Sequence, residues 1–192
     1  MRKSQGIFHI VWIQLIVSFG CHSSMAPPQP VPATAPVSSP TTNTDTGQQR
    51  FEDPQGVAFE YPADWKPVPG SKSHLKVAAP NGGQMTLDVP DIPAWAAAMI
   101  PLDQVEKGYI DDVKKRLPDA TITHLPDPHL ANARQRRVEI TGHSAGKPMV
   151  DEAVMIAHAN KLFIVSIDCD EQNYPQMHAA LDAVLKSLEW TK

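Results

Sequence analysis

Apolar and polar positions alternate with a period of two from Gly56 to Tyr61, placing Val57, Phe59 and Tyr61 on one face and Ala58 and Glu60 on the other. That is the pattern of a half-buried strand. Pro62-Ala63-Asp64-Trp65 then turns the chain. Leu75 and Val77, followed after Asn81-Gly82-Gly83 by Met85, Leu87 and Val89, keep the same period and predict a hairpin. From Pro101 to Leu117 the period changes. Leu102, Val105, Tyr109, Val113 and Leu117 recur at helical spacing until Pro118 stops the run. Strands are predicted next from Ile122, over Arg134–Thr141, Met149–His158 and Leu162–Asp168, with Ala159-Asn160 as a tight antiparallel link between the last two. A closing helix runs from about Tyr174 to Leu188, with Met177, Leu181, Val184, Leu185 and Leu188 on its apolar stripe. This order predicts an α+β domain in which an antiparallel β-sheet is flanked by helices.

The N-terminal part carries a different pattern. Arg2 and Lys3 precede an apolar run from Ile7 to Phe19, the charged and hydrophobic regions of a secretory signal peptide. Gly20-Cys21 then resembles the end of a bacterial lipoprotein signal, with Cys21 as the lipidated residue. Ser18 and Gly20 also satisfy an ordinary signal peptidase, which would give a soluble secreted chain. A retained anchor fits less well, because the run is shorter than the roughly 20 residues a spanning helix needs and contains His9 and Gln14. Residues 22–50 hold six prolines, many Ser and Thr and no aromatic residue. Such a stretch cannot bury enough apolar surface to offset its ordering entropy, so a disordered linker is expected there. The expected division is a signal peptide over 1–21, a linker over 22–50 and a folded domain over 51–192.

Charge narrows the partners. The chain carries a formal net charge of -4, and losing Arg2 and Lys3 with the leader would make it -6. Nucleic acid is not expected as a partner, since phosphate binding needs clustered Lys and Arg. Arg134, Arg136 and Arg137 form the one basic cluster and read as a solvated or edge strand. With Cys21 lipidated, Cys169 has no partner for a disulfide and reads as a buried, inert thiol.

Candidate chemistry is sparse. Gly142-His143-Ser144-Ala145-Gly146 matches the Gly-x-Ser-x-Gly elbow of serine esterases, and Asp168 or Asp170 and then His178 follow in the order of a triad. An elbow must lead into a helix, whereas Ser144 leads into the β-like stretch from Met149, so a hairpin turn is expected instead. Asp168, Asp170 and Glu171 read as solvated charge and a helix cap, lacking the ligand run and glycine of a calcium loop. The histidines at 74, 124, 129, 143, 158 and 178 show no paired ligand spacing, and no metal or cofactor is expected. Trp65 and Trp190 read as core or turn anchors. Ile92–Ile100, an apolar, alanine-rich loop containing Trp95, is the candidate docking surface, with Ile92, Trp95 and Ile100 its candidate contact residues.

The order of segments resembles the PsbP-like superfamily, which includes extrinsic photosystem II subunits and bacterial envelope lipoproteins of the DcrB and LpqN type. The pieces that carry the resemblance are GVAFEYPADWK, the LDQVEKGYIDDVKKRLPDA helix, KLFIVSIDC and the closing YPQMHAALDAVLKSLEW, which together cover nearly all of residues 51–190. The resemblance implies an antiparallel sheet with flanking helices and a binding or assembly role without a shared active site, so no catalytic residue is carried over. The expectation is an exported, non-catalytic envelope module, membrane-anchored through lipid on Cys21 or secreted, that binds a protein partner or a small ligand. An esterase using Ser144 and a permanent accessory subunit of an envelope complex are the alternatives.

Overall fold

A computed structural model describes residues 41–43 and 47–191. The leader, Cys21 and most of the linker lie outside the described residues. The chain forms β1 (Thr41–Asn43), β2 (Gln48–Asp53), β3 (Val57–Pro62), β4 (Lys66–Pro67), β5 (Leu75–Ala78) and β6 (Gln84–Asp88), then α1 (Ala94–Met99) and α2 (Leu102–Arg116). β7 (Thr121–Leu125), β8 (Arg134–Ser144), β9 (Lys147–His158) and β10 (Lys161–Asp170) follow, and a single 3-10 turn leads into α3 (Tyr174–Lys186) and β11 (Glu189–Trp190). The α+β class holds, with every described strand pair antiparallel.

The strands divide between two sheets, in the orders β1-β2-β3-β11 and β4-β5-β6-β10-β9-β8-β7. The seven-stranded sheet is covered on both faces. On one, Val154 and Ile156 of β9 and Phe163, Val165 and Ile167 of β10 join Phe59 and Tyr61 of the smaller sheet and Met177, Leu181 and Val184 of α3. On the other, Val138, Ile140, Ala153 and Met155 pack with Leu102, Val113 and Leu117 of α2 and its C-terminal end. β9 is therefore buried on both sides from Val150 to Ala157, which is why its sequence is apolar without strict alternation.

Two hairpin turns tie β8, β9 and β10 together. Ala145 and Gly146 have φ of 50° and 78°, and Ala159 and Asn160 have φ of 46° and 62°. Two consecutive left-handed residues form the turn whose twist matches paired strands. The Gly-x-Ser-x-Gly segment is thus the β8–β9 hairpin, with Ser144 paired to Lys147.

Three expectations need correction. Strand β2 starts at Gln48, inside the stretch expected to be linker. Gln48, Gln49 and Arg50 pair with Pro62, Tyr61 and Glu60, the Gln49 amide donates to the Trp65 carbonyl at 3.2 Å, and Thr41–Asn43 adds a further strand. Polar composition concealed these strands because their backbone, not their side chains, makes the ladder. Ile92–Ile100 contains a helix rather than a loop, since Pro93 supplies its starting carbonyl to the amides of Ala96 and Ala97 and alanine is the best helix former. Finally, β8 is not the sheet edge. β7 lies outside it, and Arg137 is buried.

Candidate functional site

α1 presents the most conspicuous surface. Trp95 is 68% exposed and Met99 70%, and they are the exposed large hydrophobic residues among the described ones. Their spacing of four puts them one turn apart on the same face, while Ala97 is buried beneath the helix. Ile92 is half-buried against the α2-side core and Ile100 is half-buried at the helix end. Of the three residues expected to form the docking surface, Trp95 is the one fully presented; Met99, not singled out by the sequence, is its companion. Leaving one Trp and one Met in water forgoes the free energy that their burial would release, so the exposed pose needs a restraint elsewhere. The restraint is Arg134 on β8, whose guanidinium donates to the carbonyls of Ala97, Ala98 and Ile100 at 3.4, 3.0 and 3.1 Å. These carbonyls belong to the last turn, which has no helical partner for them.

Two polar clusters lie beneath the longer helices. Under α3, Glu152 is fully buried and receives Arg137 Nε at 2.5 Å, while Arg137 also donates to Asp182 at 2.7 Å. Tyr174 Oη lies 2.8 Å from Glu152 and 2.5 Å from Glu139, and His178 Nδ1 lies 2.7 Å from Glu152. Burial, reinforced by the two carboxylates, raises the Tyr174 phenol above its ordinary range, so it stays protonated as a donor. Under α2, the buried Asp151 accepts from Tyr109 Oη at 2.6 Å and from Arg116 at 2.7 Å. Burial, with Asp151 nearby, raises the Tyr109 phenol as well. Both clusters pair a carboxylate with a phenol and a guanidinium. They clamp helices to the sheet.

Sequence reasoning missed these clusters, although a signal was present. Asp151-Glu152 interrupts an otherwise apolar strand, and Tyr174, His178 and Asp182 recur every four residues on one face of α3. Adjacent strand residues point to opposite faces, so Asp151 and Glu152 each seed one cluster.

The residues of the formal triad are not brought together. Ser144 sits beside the hairpin turn, whereas His178 bonds Glu152, five residues further along β9 than the Ser144 partner Lys147, or about 17 Å at strand rise. Asp168 faces the other side of the sheet, near Arg116 at 3.6 Å. The 3-10 turn and α3 start without a side-chain cap, so the expected capping by Asp170 or Glu171 is not made. His74, His124 and His143 pair with Asp53, Glu106 and Asp119 respectively. Among the described residues no group of three or more His, Cys, Asp or Glu is placed to hold a metal ion. Trp65 is buried, and Trp190 stacks on His158 with ring centroids 3.9 Å apart and planes 7° from parallel.

No family model matches the chain, and no curated protein does. Solved structures do. The neighbours include PsbP and LpqN. Cyanobacterial PsbP (CyanoP) from Synechocystis sp. PCC 6803 is 14% identical, with 78% of this chain and 98% of that one covered and a TM-score of 0.49. LpqN of Mycobacterium tuberculosis, described as involved in cell envelope biogenesis, is 15% identical, with 80% and 90% covered and a TM-score of 0.45. A protein of Bacteroides thetaiotaomicron VPI-5482 is 11% identical with a TM-score of 0.53; the match covers 74% of this chain and 48% of that protein, about half its length. At these identities the likeness is one of fold alone.

Proposed function

We propose that this protein is an exported cell-envelope protein, anchored through lipid on Cys21, whose folded domain is a non-catalytic binding or assembly module that docks a partner on α1. The observation that carries the docking is the pair Trp95 and Met99, both more than two-thirds exposed on a helix that Arg134 fixes to the sheet. Large apolar side chains held rigidly in water are the usual anchors of a protein interface, because burying them releases water at little cost in conformational freedom. Export rests on the leader and its Gly20-Cys21 ending. No helix of the described residues is long and apolar enough to cross a membrane. The anchor in this reading is the N-terminal lipid.

The test is photocrosslinking from position 98 on α1 in intact cells, comparing the otherwise unaltered chain with Trp95→Ala and Met99→Ser variants. Loss of a discrete crosslinked species in both variants, with unchanged circular dichroism and thermal midpoint, is the expected result. Crosslinking that survives both substitutions removes α1 as the docking surface. Cys21→Ala, followed by detergent phase partitioning, reads the anchoring separately; the variant should move to the aqueous phase.

A further inference from the structure

Beside the Trp95–Met99 ridge lies an open pocket of about 420 Å³, closed on one side by Ala98 of α1 and on the other by the β9–β10 turn. Its composition departs from that of the molecule. Nine residues line it, five of them alanine, and none is Asp or Glu, in a chain whose net charge is -4. Its polar members are Arg134, His158, Asn132 and Asn160.

Arg134 stands apart from the other described arginines. Arg50, Arg116, Arg136 and Arg137 all pair with carboxylates. Arg134 spends three contacts on helix carbonyls and has no carboxylate within ion-pair distance among the described residues. A guanidinium carries five N–H donors in a plane, and the three bonds to α1 come from Nη1 and Nη2, which leaves Nε–H and one Nη1 hydrogen to donate elsewhere. Around it the polar groups are held in place. His158 stacks on Trp190 and its Nδ1 faces the Asn132 carbonyl at 2.9 Å, which makes Nδ1 the protonated nitrogen. Asn132 and Asn160 occupy left-handed backbone at φ of 58° and 62°, a conformation of tight turns that asparagine tolerates.

We propose that this pocket binds a carboxylate carried on an apolar stem, the anion against Arg134 and the amides of Asn132 and Asn160, the stem along the alanine walls toward Trp95 and Met99. Charge selects the head group, because the lining holds a cation and no acid, and an N–H donated from a guanidinium to a carboxylate makes a charge-assisted bond. Shape selects the stem. Alanine walls admit a slender aliphatic chain, and the volume lies within the range of small-ligand sites. The same chemistry is offered by a polypeptide C-terminus with an aliphatic last residue and by a free aliphatic acid. This deepens the docking reading and rests on it, since Ala98, which lines the pocket, lies between Trp95 and Met99 on α1.

The experiment is an NMR titration of the isotopically labelled chain from residue 22 onward, which retains every described residue. The probes are hexanoate, hexanamide, and the peptide N-acetyl-Ala-Ala-Leu as free acid and as amide. Saturable shifts at Arg134 Nε–H, Asn132, Asn160 and Ala98 with the acids, at least about tenfold weaker with the amides, are expected. Tighter binding of the peptide acid assigns the source as a polypeptide terminus, and tighter hexanoate assigns a free acid. Arg134→Gln should abolish the shifts but also loosens α1. Asn160→Asp is the cleaner variant, because it adds a negative charge with almost no change of shape at a turn position that Asp tolerates, and it should weaken both acids about tenfold. Equal shifts from acid and amide, or none that saturate, overturn the proposal. If that happens while Trp95→Ala still abolishes crosslinking in cells, the pocket fails and the docking surface stands; if crosslinking also persists, both fail.

Discussion

Glu139 and Glu152 face each other as paired residues of β8 and β9, and the hydroxyl of Tyr174 stands between their carboxylates, 2.5 and 2.8 Å from each. Like charges directly opposite on a sheet repel. Here the phenol shares its proton between them while Arg137 balances Glu152 from the side. Tyr174→Phe keeps the ring and removes the donor, leaving two facing carboxylates and one of them fully buried. We expect a loss of about 1–3 kcal/mol in urea unfolding. A loss below about 0.3 kcal/mol would show that Arg137 and His178 hold the pair without the phenol.

On the opposite face, Asp151 titrates in the reverse sense from an exposed ion pair. Burial raises its carboxyl above the ordinary 3.8, outweighing the Tyr109 hydroxyl and the Arg116 guanidinium, which pull it down. Folded protein then holds this proton more tightly than unfolded chain. The Asp151 contribution to stability is therefore fully present below about 3.8 and declines as pH rises from there through the raised folded value. Asp151→Asn is neutral throughout. Its unfolding free energy, taken relative to that of the wild type, should climb across that window and then level off; a falling difference would mean the ionised form is the stabilised one.

Gly83 has φ of +113°, and a Cβ there would lie 3.0 Å from Cys169 Cβ and 3.1 Å from both Cε and Sδ of Met177. Gly70 has φ of +74° with nothing within 4 Å of the same position. Gly70→Ala should cost backbone strain alone, about 1–2 kcal/mol. Gly83→Ala adds a collision between the β5–β6 turn and α3 and should cost clearly more. Paired urea melts of the two variants measure the difference, and equal losses would mean that Met177 yields freely.

Cys169 is 1% exposed, and burial together with Asp168 and Asp170 pushes its thiol up to about 12. Only the thiolate reacts, so iodoacetamide at pH 8 should label Cys169 in native protein no faster than the protein unfolds and label it fully in urea-unfolded chain. Rapid native labelling would place the thiol in an open site.

Ser144, bound into the β8–β9 ladder, should remain unmodified by a fluorophosphonate probe in the folded chain, with Ser144→Ala leaving the probe's overall labelling unchanged. Stoichiometric labelling at Ser144 would revive the esterase alternative.

Local pattern alone determined much of this protein. The alternation at Val57–Tyr61 and Met85–Leu87, the helical spacing of Leu102–Leu117 and Met177–Leu185, and the tight links at Ala145-Gly146 and Ala159-Asn160 each express a period or a turn geometry that a few neighbouring residues suffice to set. Tertiary structure decided what neighbours cannot. Gln48–Arg50 became a strand because β3 offered a ladder, and the alternating strands were sorted into two sheets, since the same period serves either one. Arg137 reads as surface charge until Glu152 and Asp182, 15 and 45 residues away, surround it. Trp95 could as well have been core. Its exposure follows from how α1 sits on the sheet, with Ala97 buried beneath it and Arg134, 39 positions further along the chain on β8, bonding its last carbonyls. Periodicity records which side of an element is apolar, but only the contacts between distant elements settle which apolar side is left uncovered.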